Sequence, residues 1–276
     1  MKAVTRSRRG WVIVSAAAVG TILLTAVVAG RAPEQRAAAC AGSLIPAYLP
    51  PQGIAELVDA APGLQMLIVN PASGPGTSLS RPYQRAVRQA QASGARVLGY
   101  VASTFGARDP AAVLADVERY REWYGVDGIF LDEVAHGEAQ VSYYRALSRS
   151  IRAASEPLVV LNPGTVPARE YFGLADVVVT FEGPFADYAA RLAQAPAWLS
   201  EVPADQTAHL VYAASREQAR SIFAAPLRAG HVYVTSGTPP DPWGSPPPYL
   251  REEEAATARS VPAPANTSDT RSPKCP

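Results

Sequence analysis

Between residues 44 and 235, short apolar runs alternate with longer segments in which apolar residues recur at helical spacing. This alternation is typical of repeated strand-helix units that build a parallel sheet. Eight strands favour a closed (β/α)8 barrel, an α/β fold of the TIM type. The predicted strands are Leu44–Leu49, Leu64–Asn70, Arg96–Val101, Gly128–Leu131, Leu158–Asn162, Asp176–Phe181, Ala208–Val211 and His231–Thr235.

Helices are predicted between these strands, and the one at Ala111–Tyr124 has the clearest limits. Asp109 is placed to cap its start, Pro110 suits its first turn, and Gly125 is suited to its C-terminal end. A less regular helix is predicted at Asp187–Ala195. The other predicted helices are Ile54–Ala60, Tyr83–Ser93, Val141–Ser155, Arg216–Phe223 and a short one near Tyr249–Ala256 that completes the barrel.

Residues 1–40 are predicted to form an export segment. Basic residues at the start are followed by an uncharged, largely apolar stretch at residues 11–30, which is typical of a segment that inserts with its start in the cytoplasm. The remaining chain is then expected to be extracytoplasmic. The length of the stretch leaves two alternatives open, a cleaved signal peptide of a secreted protein and a single uncleaved membrane anchor.

The barrel is predicted to occupy residues 41–260 as one domain. Proline and small polar residues dominate residues 261–276, which predicts a disordered tail. Cys40 and Cys275 flank the barrel and could pair in an oxidising compartment or remain separate thiols. Cys40 as a lipid-attachment site is disfavoured, because it lies about 10 residues beyond the apolar stretch.

The charged and histidine residues of the chain limit the reaction types that it could catalyse. The formal net charge of +1 does not suggest a nucleic-acid partner. The lysines, Lys2 and Lys274, lie outside the predicted core, which argues against a Schiff-base mechanism. Three histidines without an H-x-H or H-E-x-x-H pair do not favour a metal centre. We therefore predict that the chemistry depends on carboxylates, hydroxyls and amides, without metal or organic cofactor. Separately, we expect the protein to be a monomer.

Polar or aromatic residues end nearly every predicted strand. The carboxyl ends of barrel strands converge on one opening, where active sites lie. Candidate substrate-binding residues at this rim are Tyr48, Asn70, Tyr100, Asn162 and Tyr212. Each has a structural alternative, because asparagine before proline often starts a turn and tyrosines often complete a core. We interpret His136, Glu201 and Asp205 as loop or solvated residues.

Three carboxylates stand apart from these candidates. Asp132 and Glu133 follow a buried strand, and Glu182 follows another. Like charges at neighbouring strand ends repel one another, so we interpret them as catalytic. Two carboxylates across a cleft are sufficient for glycoside hydrolysis, because crowding raises the pKa of one and leaves the other ionised. Adjacent residues of a regular strand point to opposite faces, so only Asp132 or Glu133 would face the barrel axis.

The ordered motifs resemble those of the spherulation-specific (spherulin-4-like) family. They are IPAYLPP, VNPASGPG, VLGYVASTFGAR, WYGVDGIFLDE, LNPGT, ADVVVTFEG and VYVTSG, spread over roughly residues 44–237. That family is similar to endo-α-1,4-N-acetylgalactosaminidases and related polygalactosaminidases. The resemblance implies a (β/α)8 enzyme, secreted or membrane-tethered, that cuts a galactosamine-containing polysaccharide.

Carried onto this sequence, the family's acidic pair falls on Asp132 and Glu133, and its later acidic residue on Glu182. Asn162 and Tyr48 match its asparagine and early tyrosine. We expect Asp132 as nucleophile and Glu182 as acid/base, with Glu133 positioning the substrate or tuning the pKa values.

Two other functions remain open from the sequence. The same barrel could serve as a non-catalytic carbohydrate-binding or cell-surface structural protein. A weaker alternative is a phosphate-handling enzyme that uses the turn at residues 236–238 after the last strand. The exact sugar, its acetylation, endo or exo action and the stereochemical outcome are not fixed by the sequence.

Overall fold

A computed structural model describes residues 42–61, 63–153 and 157–259. All eight predicted strands are present, and each lies within a few residues of its predicted limits. They are β1 (Leu44–Ala47), β2 (Met66–Val69), β3 (Arg96–Ala102), β4 (Gly128–Asp132), β5 (Leu158–Leu161), β6 (Val177–Pro184), β7 (Thr207–Tyr212) and β8 (His231–Val234).

The strands form one parallel sheet in chain order from β1 to β8. The sheet closes on itself where Gly42, just before β1, pairs with His231 at the start of β8. The amide of Gly42 donates to the carbonyl of Gly230 at 2.7 Å, and the amide of Val232 donates to the carbonyl of Gly42 at 2.9 Å. The predicted (β/α)8 barrel is thereby confirmed.

Seven helices follow the strands in the described part of the chain. They are α1 (Pro51–Ala60), α2 (Arg81–Ala92), α3 (Pro110–Arg119), α4 (Val141–Arg152), α5 (Phe185–Ala193), α6 (Arg216–Ala224) and α7 (Leu250–Arg259). As predicted, the Asp109 carboxylate caps α3 by accepting from the amide of Ala111 at 3.0 Å. The helix then widens into a π turn over Tyr120–Tyr124 and ends at Gly125, whose φ is 65°.

The strands are apolar on both faces because the barrel interior and the surrounding helices each cover one face. Gly99 in β3 shows how closely these layers pack. A Cβ atom there would lie 2.5 Å from the ring of Tyr120. The Tyr120 hydroxyl donates to the carbonyl of Val69 at 3.2 Å, which ties the end of α3 to β2.

Two strands, β4 and β6, extend beyond their predicted ends and take in the predicted catalytic carboxylates Asp132 and Glu182. β6 was predicted to end at Phe181, but it continues to Pro184, so Glu182 lies within the strand. The pairing of β6 with β7 shifts register between Val179 and Phe181, a bulge that re-aims the following side chains. β4 likewise extends by one residue and takes in Asp132.

Among the described residues, no helix has the length and apolar character needed to cross a bilayer. The predicted export segment at residues 11–30, the tail at residues 261–276 and both cysteines lie outside the described residues.

Candidate active site

The two adjacent carboxylates separate because the chain turns sharply after β4. Asp132 ends the strand, and Glu133 has a φ of 51°, a left-handed conformation that is uncommon for a residue with a side chain. The buried hydroxyl of Ser103 lies 2.9 Å from the carbonyl oxygens of both residues and donates to them. Tyr144, which accepts from the amide of Ala135, donates in turn to Ser103. This network holds the turn in place.

Asn162 connects Asp132 to Glu182. Its side-chain amide nitrogen donates to Oδ1 of Asp132 at 2.7 Å and to Oε2 of Glu182 at 2.5 Å. Asn162 is 6% exposed, so both hydrogen bonds form away from bulk water. The two acceptor oxygens share one donor nitrogen and therefore lie at most about 5 Å apart. The structure thus brings three predicted site residues into direct contact, one from β4, one that directly follows β5 and one from β6.

The orientation of Asn162 is fixed at its other end. Its side-chain oxygen accepts from the amide of Gly164 at 3.0 Å, and the carbonyl of Gly164 accepts from the amide of Glu182 at 3.0 Å. Gly164 has a φ of 64°, which a glycine adopts without steric cost. The turn after β5 therefore aims the amide nitrogen of Asn162 at the two carboxylates.

Both bridged carboxylates hold protons more tightly than free ones do. Burial and the neighbouring charge of Asp132 raise the pKa of Glu182 to about 7, against the opposing effect of hydrogen bonds from Asn162 and Trp243. Burial also raises the pKa of Asp132, although hydrogen bonds from the Glu133 amide, Tyr100 and Asn162 oppose the rise. Near neutral pH, Glu182 is thus suited to give and take a proton.

Aromatic side chains enclose the pair. Tyr100 donates to Asp132, and its ring contacts Tyr48 edge-on at 5.5 Å between centroids. Burial, followed by the charges of Asp132 and Glu182, raises the pKa of the Tyr48 hydroxyl. These rings offer apolar faces together with hydroxyl groups, a combination that suits sugar rings.

Trp243 also belongs to the candidate site, although the sequence did not predict it. It lies in the proline-rich segment after β8, is 7% exposed and donates its indole N–H to Glu182. Its ring packs against Tyr212 at 5.9 Å and Tyr233 at 6.0 Å between centroids. The sequence held one signal for this contact. A tryptophan in a proline-rich segment indicates that the segment packs against the folded domain, because an exposed loop rarely contains so large an apolar ring.

The remaining predicted residues lie less centrally. The ring of Tyr212 contacts Trp243, which in turn contacts Glu182. The side-chain oxygen of Asn70 accepts from the amide of Gly74 at 2.8 Å and so stabilises the loop after β2. Glu133 is half-buried beside Asp132, and its charge contributes to the raised pKa of Asp132. Substrate binding by these three residues stays a prediction.

The residues that were interpreted as loop or solvated residues, and the turn after β8, lie apart from the two bridged carboxylates in their hydrogen bonds and ion pairs. His136 is exposed, and Glu201 is an exposed partner of Arg169 at 2.6 Å. Asp205 accepts from His231 through its main-chain carbonyl at 3.1 Å. In the turn at residues 236–238, the amide of Gly237 donates to Thr235 at 3.1 Å.

Comparison with solved structures agrees with this architecture. The structure of Sph3 from Aspergillus clavatus in complex with GalNAc is 23% identical, with a TM-score of 0.68 over 79% of this chain and 98% of that one. A maltogenic α-amylase, AmyB from Thermotoga neapolitana, is 8% identical, with a TM-score of 0.50 over 77% of this chain and 71% of that one. At such identities both likenesses concern the fold.

Sequence comparison identifies the relationship more closely. Spherulin-4 from Physarum polycephalum is 30% identical over 211 residues, which is 70% of this chain and 63% of that protein. This chain therefore spans less than two thirds of the length of that relative. The profile of the spherulation-specific family 4 matches residues 44–256. The protein thus belongs to the spherulation-specific family 4.

Proposed function

We propose that this protein is a glycoside hydrolase that cleaves an α-linked polysaccharide containing galactosamine or N-acetylgalactosamine. The observation that carries the proposal is the pair Asp132 and Glu182, joined through one amide nitrogen of Asn162 at 2.7 and 2.5 Å. One member, Glu182, has a pKa of about 7 and can supply a proton near neutral pH. Retaining glycoside hydrolases use a proton donor and a second carboxylate at about this spacing.

The geometry supports a retaining mechanism. In retaining enzymes the two carboxyl groups are about 5–5.5 Å apart, whereas inverting enzymes leave about 6.5–9.5 Å for a water molecule. Asp132 attacks the anomeric carbon while protonated Glu182 gives its proton to the departing glycosidic oxygen. Glu182, now ionised, then takes a proton from the water that releases the sugar from Asp132. Asn162 fixes both carboxylates, and Tyr100 orients Asp132.

The choice of sugar rests on the family. The related Aspergillus clavatus protein was crystallised with GalNAc, and the motifs at residues 44–237 resemble those of enzymes acting on galactosamine polymers. Tyr48, Tyr100 and Trp243 supply the aromatic surfaces that a pyranose ring requires. We infer that Glu133, beside the nucleophile, positions the substrate.

The cellular setting of the proposal is extracytoplasmic. The basic and apolar composition of residues 1–40 supports export, by a cleaved signal or with a retained anchor. An exported enzyme would meet polysaccharide at or beyond the cell surface, and we propose that it acts there as a monomer.

The test is reducing-end release by the purified protein on α-1,4-linked galactosamine polymers of graded acetylation. Asp132→Asn and Glu182→Gln preserve side-chain shape, and Glu122→Gln on the exposed end of the α3 segment is the matched control. We expect cleavage by the wild type and the control, and at least a 100-fold loss in both site variants, roughly the contribution of one acid-base group. Folded wild type that cleaves no such polymer, or full activity in both site variants, would refute the proposal. Retained polymer binding without any turnover would favour a carbohydrate-binding protein.

A further inference from the structure

Phe105 is exposed to an unusual degree for an aromatic residue of this protein. It is 62% exposed, and among the described residues it is the one large hydrophobic side chain that is mainly exposed, whereas the others are buried or half-buried. Single apolar residues on a surface are ordinary in themselves. Phe105 differs from an ordinary surface residue in its backbone conformation and in its hydrogen bond to the candidate active site.

The backbone presenting Phe105 is strained. Thr104 and Phe105 have φ values of 49° and 53°, so two consecutive residues with side chains adopt the left-handed region, followed by Gly106 at 81°. This conformation is a genuine outlier for a bulky residue and persists only where the surroundings enforce it.

Hydrogen bonds from the candidate active site enforce that conformation. The amide of Phe105 donates to the carbonyl of Glu133 at 2.6 Å, and the amide of Gly106 donates to the carbonyl of Ser103 at 3.0 Å. Ser103 is the same residue whose hydroxyl holds the carbonyls of Asp132 and Glu133. The strained turn at Phe105 and the strained turn at Glu133 are therefore bonded directly to each other.

The turn also lies at the functional end of the barrel. β3 and β4 are neighbours, and Ala102, the last residue of β3, pairs with Asp132. Phe105 follows three residues later, on the rim formed by the carboxyl ends of the strands. A polymer whose cleaved bond lies at Asp132 has further sugar units that must leave the cleft across this rim.

We propose that Phe105 is a sugar-stacking subsite that holds a pyranose unit of a polymeric substrate outside the cleavage position. The inference rests on the proposed glycosidase function and extends it, because it makes the protein selective for chains over short fragments. The apolar face of the Phe105 ring receives the sugar, and the main-chain hydrogen bond to Glu133 fixes the backbone from which that ring projects.

Phe105→Ala removes the ring, and Phe105→Trp restores an aromatic face. Phe223→Ala removes a half-buried ring from α6 in the outer helix layer and serves as the matched control. We expect Phe105→Ala to raise KM on long galactosamine polymers about five- to tenfold, the usual range for truncating one aromatic anchor, with kcat unchanged. On the shortest oligosaccharide that is cleaved, KM should stay within about twofold, and Phe105→Trp should recover the wild-type value.

A binding measurement separates failure of this inference from failure of the proposed function. Migration of wild type and Phe105→Ala is compared in gels containing each polymer, with and without the Asp132→Asn change. Greater retardation of the proteins carrying Phe105 supports the subsite even if no polymer is cleaved. Equal migration on every polymer overturns the subsite, and so does an equal rise in KM on long and short substrates.

Discussion

Replacing Glu182 by glutamine removes a titrating group and keeps the shape of the side chain. The glutamine carbonyl oxygen can still accept from Asn162 and from the indole of Trp243. The pKa of Glu182 rises from 4.5 to about 7 on folding, so the folded protein binds this proton more tightly than the unfolded chain does. Stability contributed by the bound proton is complete below the unfolded pKa and is lost as pH rises through the folded one.

The size of the effect follows from that difference. Each pKa unit is worth about 1.4 kcal/mol, so the full difference corresponds to roughly 3 kcal/mol of unfolding free energy. Part of the Glu182 side chain remains accessible to solvent, which screens its charge, so we expect about 1–3 kcal/mol. The glutamine variant should gain this much stability over the wild type between pH 5 and pH 8.

Urea unfolding of both proteins at the two pH values measures the gain, with Glu122→Gln as an exposed control. Other titrating groups are common to both proteins and cancel when the free energies of unfolding are subtracted. An advantage for the variant that appears at pH 8 and is absent at pH 5 is the expected result. A difference that is equal at both pH values would refute a raised pKa for Glu182.

Three further predictions use different measurements. If Glu182 is the catalytic acid, kcat/KM on a cleaved polymer should fall above about pH 7, and a profile that stays flat to pH 9 would contradict that role. Ser103→Ala should lower the free energy of unfolding by about 1–3 kcal/mol in urea, because the Tyr144 hydroxyl loses its buried acceptor and the two carbonyls each keep only a main-chain donor. Exposed Ser142→Ala should be neutral. Gly128→Ala should cost about 1–3 kcal/mol in thermal unfolding, because the added Cβ would lie 2.5 Å from the carbonyl oxygen of Leu158; an unchanged Tm would contradict this packing.

The barrel could be predicted because its signals are local. Buried strands read as short apolar runs, and the capping residues Asp109 and Gly125 mark the limits of the third helical segment. The bulge in β6 could not be predicted, because it depends on pairing with β7 and leaves no local pattern. This is why Glu182 was expected after the strand and lies within it.

The sequence indicated some residues of the candidate site and not others, because several of their contacts join segments that are distant in the chain. The sequence leaves two alternatives for Asn162, a turn former or a site residue. In the structure its side-chain oxygen accepts within the turn while its nitrogen donates to two carboxylates, so one residue makes both kinds of contact. Trp243 was missed because a proline-rich composition predicts a loop and says nothing about which strand end that loop covers. Contacts of this kind become visible only once the barrel brings distant segments together.

The position of Asn162 before Pro163 also affects how the protein ages. Asparagine commonly turns into aspartate when the main-chain nitrogen of the next residue attacks the side-chain amide and closes a ring. Proline has no N–H, so this route is closed at Asn162. Such a conversion would place a third carboxylate between Asp132 and Glu182 and replace the donor that holds them together. If the protein acts outside the cell, as we propose, the amide that joins the two carboxylates is protected from this route of damage for as long as the protein remains there.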